Sequence, residues 1–251
     1  TQEQRRGMQL VSRTFPFNSY LKRIGKHKTG MCQWCPKTWE SQTHFQSLCP
    51  TFAKNRIAAH NNICRATIAA ILDHQPSGWA FYYETDFDSL PFDFEWESET
   101  EKTQQQHRRP DGIAYNAAKK ELYFLEFTRA MDHQRTMAQA LLRKRRQYLA
   151  GERATIREQV TARLGPNASQ RAQTTARLGL DFRVDTVPFI FGARGAVMAG
   201  ECLPFLRTLG IKTKGCETIL AAGVRAAISS AADMCHARMV APKPPQATTP
   251  K

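Results

Sequence analysis

The sequence predicts a mixed α/β domain preceded by a small metal-binding module. Four cysteine and histidine residues fall within eighteen positions, at 32–49. The stretch 108–132 reads as a strand, a turn and a second strand, and a helical pattern follows it. From residue 51 onward the apolar segments run in the order helix, strand, strand, strand, helix, strand, helix. A chain of 251 residues that is 41% hydrophobic can bury a core of that size.

Residues 1–31 form a basic, partly extended lead-in that closes on a Gly turn, and 32–50 hold the Cys/His module. Phe52, Ile57, Ile63, Ile68 and Ile71 recur at helical intervals across 51–72, with Thr51 placed to cap the first turn. "GWAFYYETDF" is aromatic and bounded by turn residues, hence a strand. The acidic, Gln-rich stretch 88–107 has no period and reads as a surface loop. Strands near 111–116 and 121–128 flank the turn-like residues 116–120. Asp132 is placed to cap a helix over 133–150, with Met137, Leu141, Leu142, Tyr148 and Leu149 as its apolar contacts. An Arg-bearing helix at 152–164 is expected to end at "GPNAS". "FRVDTVPFIFGARG" is a strand closed by glycines, which Pro188 either weakens or places near a sheet edge. Helices near 198–209 and 216–238 complete a domain spanning 51–240, and 241–251 is a Pro-rich tail.

The net charge of +14 is unevenly spread. Residues 51–107 carry 4 basic and 9 acidic groups, whereas 108–180 carry 15 and 6. A basic surface interrupted by one acidic segment points to a polyanionic partner, most simply nucleic acid. No apolar run is long enough to span a bilayer, and the start has no signal-peptide pattern. The opening residue, Thr1, reads as the start of a piece of a longer chain. Seven cysteines without a secretion signal point to thiols and metal rather than disulfides.

"CQWCPKTWESQTHFQSLC" has the spacing C-x2-C-x8-H-x4-C through Cys32, Cys35, His44 and Cys49. Three thiolates and an imidazole on short loops suit tetrahedral Zn²⁺, and a Cys3His set leaves no open position, so the ion is structural. Trp34, Trp39, Phe45 and Leu48 are the candidate apolar cap. The bland alternative is buried cysteines with a chance histidine. Cys64, Cys202, Cys216 and Cys235 lack metal-ligand spacing and read as core thiols.

Two carboxylates do not suit the strands that carry them. Asp111 opens the first strand behind Arg108, Arg109 and Pro110, and Glu126 interrupts the apolar run of the second. A buried glutamate needs a compensating cation. Two acids on neighbouring strands can hold Mg²⁺ for phosphodiester cleavage. Pairing with Arg109 or Arg129 is the ordinary alternative. A third element of such sites is a lysine two residues past the second acid, where this chain has Thr128. "LLRKRRQYL" on the next helix offers Lys144 and Tyr148 four apart, hence on one face, among Arg143, Arg145 and Arg146. A solvated basic face is the competing account of that cluster.

Taken in order, "CQWC…H…C", "RRPD" with fourteen residues before Glu126, "LLRKRRQYL" and "VDTVPFIFGARG" resemble the C-terminal region of site-specific non-LTR retrotransposon proteins. In that family a CCHC zinc motif precedes a restriction-like endonuclease, and the likeness covers about residues 15–235. Arg109, Pro110, Asp111 and Glu126 match its nuclease signature, and its displaced lysine and tyrosine fall on Lys144 and Tyr148.

The resemblance implies a PD-(D/E)xK restriction-endonuclease-like core of mixed sheet and flanking helices. It also implies Mg²⁺ and nicking of one DNA strand, the freed 3′-hydroxyl priming reverse transcription. Asp111 and Glu126 then bind the metal, Lys144 positions water or steadies phosphate charge, and Tyr148 supports Lys144. Arg108, Arg109, Arg143, Arg145, Arg146 and Arg194 bind the backbone. The zinc module with Lys22, Arg23, Lys26 and Lys28 grips double-stranded target DNA or element RNA. Glu84 is an outside candidate for a third metal contact, with a surface role preferred. No Tyr-x-Asp-Asp-like motif appears, so the reverse transcriptase belongs to the parent chain, and a nuclear location with no membrane follows. Two alternatives stay open: an inactive zinc-containing nucleic-acid-binding module, and a repair or junction-resolving nuclease of the same fold.

Overall fold

A computed structural model describes residues 15–35, 38–74, 76–83, 110–148 and 183–241, with Arg5, Met8 and Gln9 ahead of them. The side chains of 145–148, 183 and 184 fall outside that description. The expected loop at 88–107, the helix at 152–164 and the tail beyond 241 therefore lie outside the described residues, as do Glu84, Arg108 and Arg109.

The protein is a mixed α/β fold with a Cys/His cluster at one end. In chain order the elements are α1 (Asn18–Arg23), a π-helical turn (His44–Leu48), a 3₁₀ turn (Pro50–Phe52) and α2 (Ala53–Leu72). There follow β1 (Ala80–Tyr83), β2 (Gly112–Asn116), β3 (Glu121–Ala130), α3 (Gln134–Tyr148), β4 (Arg183–Gly192), α4 (Ala199–Thr208) and α5 (Thr213–Val240). Among the described residues the strands form one four-stranded sheet in the order β1-β2-β3-β4. The first three are antiparallel, and β4 runs parallel to β3. A parallel pair needs a crossover, and α3 lies on it.

The β2–β3 hairpin is closed at 117–120, where Asn116 Oδ1 accepts from Lys119 N at 2.9 Å and Lys120 takes a left-handed φ of 53°. β3 is the central strand and is covered on both faces. Tyr123, Leu125 and Phe127 point to one face, where they join Ile63, Ile68 and Ile71 of α2, Phe205 of α4 and Ile219 of α5. Phe127 stacks on Phe189 of β4 at 4.9 Å; burying a ring of this size is worth about 1.5–3 kcal/mol. The alternate positions face α3, whose Met137, Ala140 and Leu141 pack on Ala130 and Ile190. Pro188 sits on β4, an edge of the described sheet, where its missing N–H is tolerated.

Several local expectations are corrected. Thr51 lies in the 3₁₀ turn and caps nothing; α2 begins after Phe52 without a side-chain cap. Its buried stripe is Ala59, Ile63, Cys64, Thr67, Ile68 and Ile71, and Ile57 lies ahead of it, exposed. Leu142 also faces out. Asp132 does not cap α3: its carboxylate accepts from Arg194 N at 2.6 Å and Ala196 N at 2.8 Å, tying down the loop after β4. A Cβ on Gly192 would meet Asp132 Oδ1, so that clamp needs glycine there.

The lead-in is not simply extended. It contains α1, and Phe15 and Phe17 are buried with Phe45, Phe52, Ala231 and Met234 in a second cluster. A module of eighteen residues has too few apolar side chains for its own core, so it borrows from the segments on either side. Of the expected cap, Phe45 is fully buried and Trp34 packs at its edge, while Trp39 and Leu48 are exposed.

α5 crosses β4 at close range, and a Cβ on Gly223 would come within 2.3 Å of the Phe191 ring. Gly223→Ala should therefore cost about 1–3 kcal/mol through overpacking, measured by urea unfolding. Unchanged stability would show that helix and strand can separate freely.

Candidate metal centres and nucleic-acid cleft

The Cys/His module is built on a small hairpin. Met31 pairs with Trp39, Cys32 N donates to Thr38 O at 2.9 Å and Glu40 N to Gly30 O at 3.0 Å. Its turn side carries Cys32 and Cys35; His44 and Cys49 come from the two ends of the π-helical turn. The four ligand atoms lie within 4.8 Å of one another. Cys32 Sγ to Cys49 Sγ is 3.9 Å and Cys35 Sγ to Cys49 Sγ is 3.8 Å. A tetrahedral zinc with Zn–S near 2.3 Å has S···S edges of about 3.8 Å, so these four residues can hold a zinc ion. Cys35 Sγ to His44 Nε2 is closer, at 3.0 Å. Burial first, then the neighbouring cysteines, push the Cys35 thiol up to about 12, and burial also raises Cys32. A dication is what would make thiolates stable there.

The module is bolted to the body by a buried ion pair. Glu40, fully buried, accepts from Arg238 Nε at 2.8 Å and Nη2 at 2.7 Å, and from Asn18 N at 2.8 Å. The Arg238 guanidinium also lies 5.6 Å from the Phe17 ring and 5.4 Å from Trp34.

The second centre forms at one end of the β2–β3 pair. Gly112 faces Leu125, so one step further along that register Asp111 comes opposite Glu126. Asp111 Oδ2 accepts from Phe127 N at 2.8 Å, and Oδ1 lies 3.2 Å from His60 Nε2 on α2. Burial pushes the Asp111 carboxyl up. The hydrogen bond and charge of His60, the Lys144 ammonium and the Phe127 N–H outweigh it and hold the group below its ordinary value. Glu126 is 1% exposed, and its Oε2 accepts from Lys144 Nζ at 2.7 Å. The structure thus brings Asp111, Glu126 and Lys144 together, with His60 as a fourth member that sequence reasoning missed. Its signal was faint: His60 precedes Cys64 by one helical turn, but only folding brings α2 to Asp111. Tyr148 and the Arg145 and Arg146 side chains lie outside the description.

Beside this centre runs a cleft of about 510 Å³ whose walls include Gln46 and Leu48 of the zinc module, Arg56 and His60 of α2, Thr128 and Arg129 of β3, and Arg143 and Lys144 of α3. Among the described residues its lining contains no aspartate or glutamate. Arg56 donates to the Cys49 carbonyl. Burial pushes the Arg129 guanidinium down to about 10; Nη2 donates to Gln46 O at 2.7 Å, and Nη1 and Thr128 Oγ1 are buried without hydrogen-bond partners. No carboxylate lies within ion-pair distance of Arg129 among the described residues. Arg56 and Arg129 were not anticipated, because each reads from sequence as an ordinary surface cation.

The other expected cations are placed elsewhere. Lys22, Arg23, Lys26 and Lys28 are exposed on α1 and the turn after it, with Lys22 over the Trp39 ring at 4.5 Å. Arg194 is turned onto Asp132, donating to its carbonyl at 2.9 Å. No described helix is long and apolar enough to cross a membrane. No protein-family model matches the chain, and a search of curated proteins finds no match either.

The purified chain should carry one zinc per molecule by atomic emission, and Cys35→Ala should lose it. Undiminished zinc in that variant would refute the ligand assignment.

Proposed function

We propose that this chain is a metal-dependent DNA endonuclease with a PD-(D/E)xK core, nicking target DNA beside a structural zinc module. The observation that carries the reading is the meeting of Asp111, Glu126 and Lys144 at one end of the sheet, with Lys144 also lining a cleft that has no acid among its described lining residues. Two carboxylates on adjacent strands are hard oxygen donors of the kind Mg²⁺ takes. Asp111 and Glu126 would hold that ion, and the chemistry it supplies is neutralisation of charge developing on phosphate and a more acidic attacking water. Lys144 pairs with the Glu126 carboxylate inside the sheet and presents its ammonium beside the cleft, where it can orient water or the scissile phosphate. Arg56, Arg129 and Arg143 suit backbone phosphates through charge-assisted hydrogen bonds. The exposed cations of α1 extend that basic surface along the zinc module.

Integration of a retrotransposon in the nucleus, with the freed 3′-hydroxyl priming copying of element RNA by a reverse transcriptase domain of the parent chain, rests on the motif resemblance. Two features favour a second reading, a zinc-containing nucleic-acid-binding module that does not cut. The place two residues past Glu126 holds Thr128, and the Lys144 ammonium is engaged with Glu126 itself.

Nicking of supercoiled plasmid in Mg²⁺ separates the two. Asp111→Ala and Lys144→Ala should each lower the nicking rate by about 100-fold or more while DNA binding persists. Equal nicking by the variants would place the active site elsewhere, and intact binding with no nicking by any protein would favour the second reading.

A further inference from the structure

We infer that His60 is a direct ligand of the divalent ion held by Asp111, and that it makes this centre prefer a transition ion such as Mn²⁺ over Mg²⁺. The inference rests on reading Asp111 as a metal ligand, and three features of the site carry it further.

The first is geometry. His60 Nε2, Cys64 Sγ and Asp111 Oδ1 form a cluster of potential ligand atoms within 4.8 Å of one another. His60 Nε2 and Asp111 Oδ1 are 3.2 Å apart, at the long end of the hydrogen-bond range. Adjacent nitrogen and oxygen ligands at about 2.1 Å from one ion stand about 3 Å apart, so one ion can take both atoms with little movement.

The second is how the carboxylates are used. Asp111 Oδ2 is committed to Phe127 N, and Oδ1 is the oxygen that faces His60. Glu126 Oε2 is committed to Lys144. The Asp111 oxygen not taken by the backbone is thus the one that faces a nitrogen donor delivered by α2.

The third is access. The His60 side chain is 32% exposed and lines the cleft, whereas Cys64 is 1% exposed within the apolar cluster under the sheet. A thiolate is a soft donor that suits zinc rather than Mn²⁺ or Mg²⁺, so Cys64, with Sγ 3.5 Å from Nε2, backs the imidazole rather than joining the ligand set. Imidazole nitrogen binds transition ions better than it binds Mg²⁺, which keeps to oxygen.

The test is Mn²⁺ binding to the full chain with zinc already in its Cys3His site, followed by electron paramagnetic resonance. Mn²⁺ is the weakest binder of its series and does not displace zinc from thiolates. The wild type should bind one Mn²⁺ with nitrogen modulation in the spin-echo signal, and Asp111→Ala should abolish that binding. His60→Ala should weaken Mn²⁺ about tenfold or more, erase the nitrogen modulation and leave Mg²⁺ affinity nearly unchanged. His60→Gln, which can still donate a hydrogen bond to Asp111, should behave like His60→Ala, and retained zinc serves as the check on folding. If Asp111→Ala abolishes binding while His60→Gln binds as tightly as the wild type, His60 merely orients Asp111 and the inference fails with the carboxylate site intact. If Asp111→Ala still binds Mn²⁺ normally, or the wild type binds none, the carboxylate metal site itself fails and takes the inference with it.

Discussion

Glu126 sits on the central strand of the sheet at 1% exposure, where a carboxylate is tolerated only with a cation against it. Lys144 supplies that cation from α3. The pairing requires α3 to lie across the face of β3 that Glu126 points to, and Met137, Ala140 and Leu141 hold it there against Ala130 and Ile190. It also requires the opposite face to be sealed by α2, α4 and α5, since only a strand covered on both sides makes its glutamate this dry. Asp111 then meets the same strand end through the hairpin register and the Phe127 amide. The packing that buries Glu126 and the contacts that hold Asp111 are thus one arrangement.

The zinc module is part of this body rather than an appendage. Its aromatic residues share a cluster with α5, and Glu40 and Arg238 close a buried pair across the junction. Removing either partner would strand a charge in the interior. Gln46, inside the π-helical turn that carries His44 and Cys49, accepts from Arg129 of β3 and lines the cleft. A change in the zinc site therefore reaches the cleft wall through one carbonyl. Gln46 and Leu48 of the module line the same cleft as Arg143.

Elements with a strong period or turn punctuation were legible in the sequence: α2, the β2–β3 hairpin, α3, β4, α4 and α5 fall within a few residues of their expected places. The Cys/His cluster that can hold zinc was legible because its four members lie close together in the sequence. Asp111 and Glu126 were legible because acids in apolar strands break the pattern, and Lys144 because the next helix offers a lysine where the place after the second acid holds Thr128. What stayed hidden depends on tertiary approach. His60 looks like any helical histidine until α2 docks beside Asp111, and Arg129 looks exposed until Gln46 covers it. Asp132 has the appearance of a helix cap, yet the backbone amides of the loop after β4 compete better for its carboxylate. Phe15 and Phe17 read as lead-in because nothing local reveals that the module lacks a core of its own.

The most direct test of the central claim, that Asp111 and Glu126 form one metal site, is anomalous scattering from crystals grown with Mn²⁺. The account predicts a manganese peak within ligand distance of both carboxylates, with the zinc peak separate among Cys32, Cys35, His44 and Cys49. A map with the zinc peak present, no manganese near Asp111 and the Lys144–Glu126 pair unchanged would contradict it.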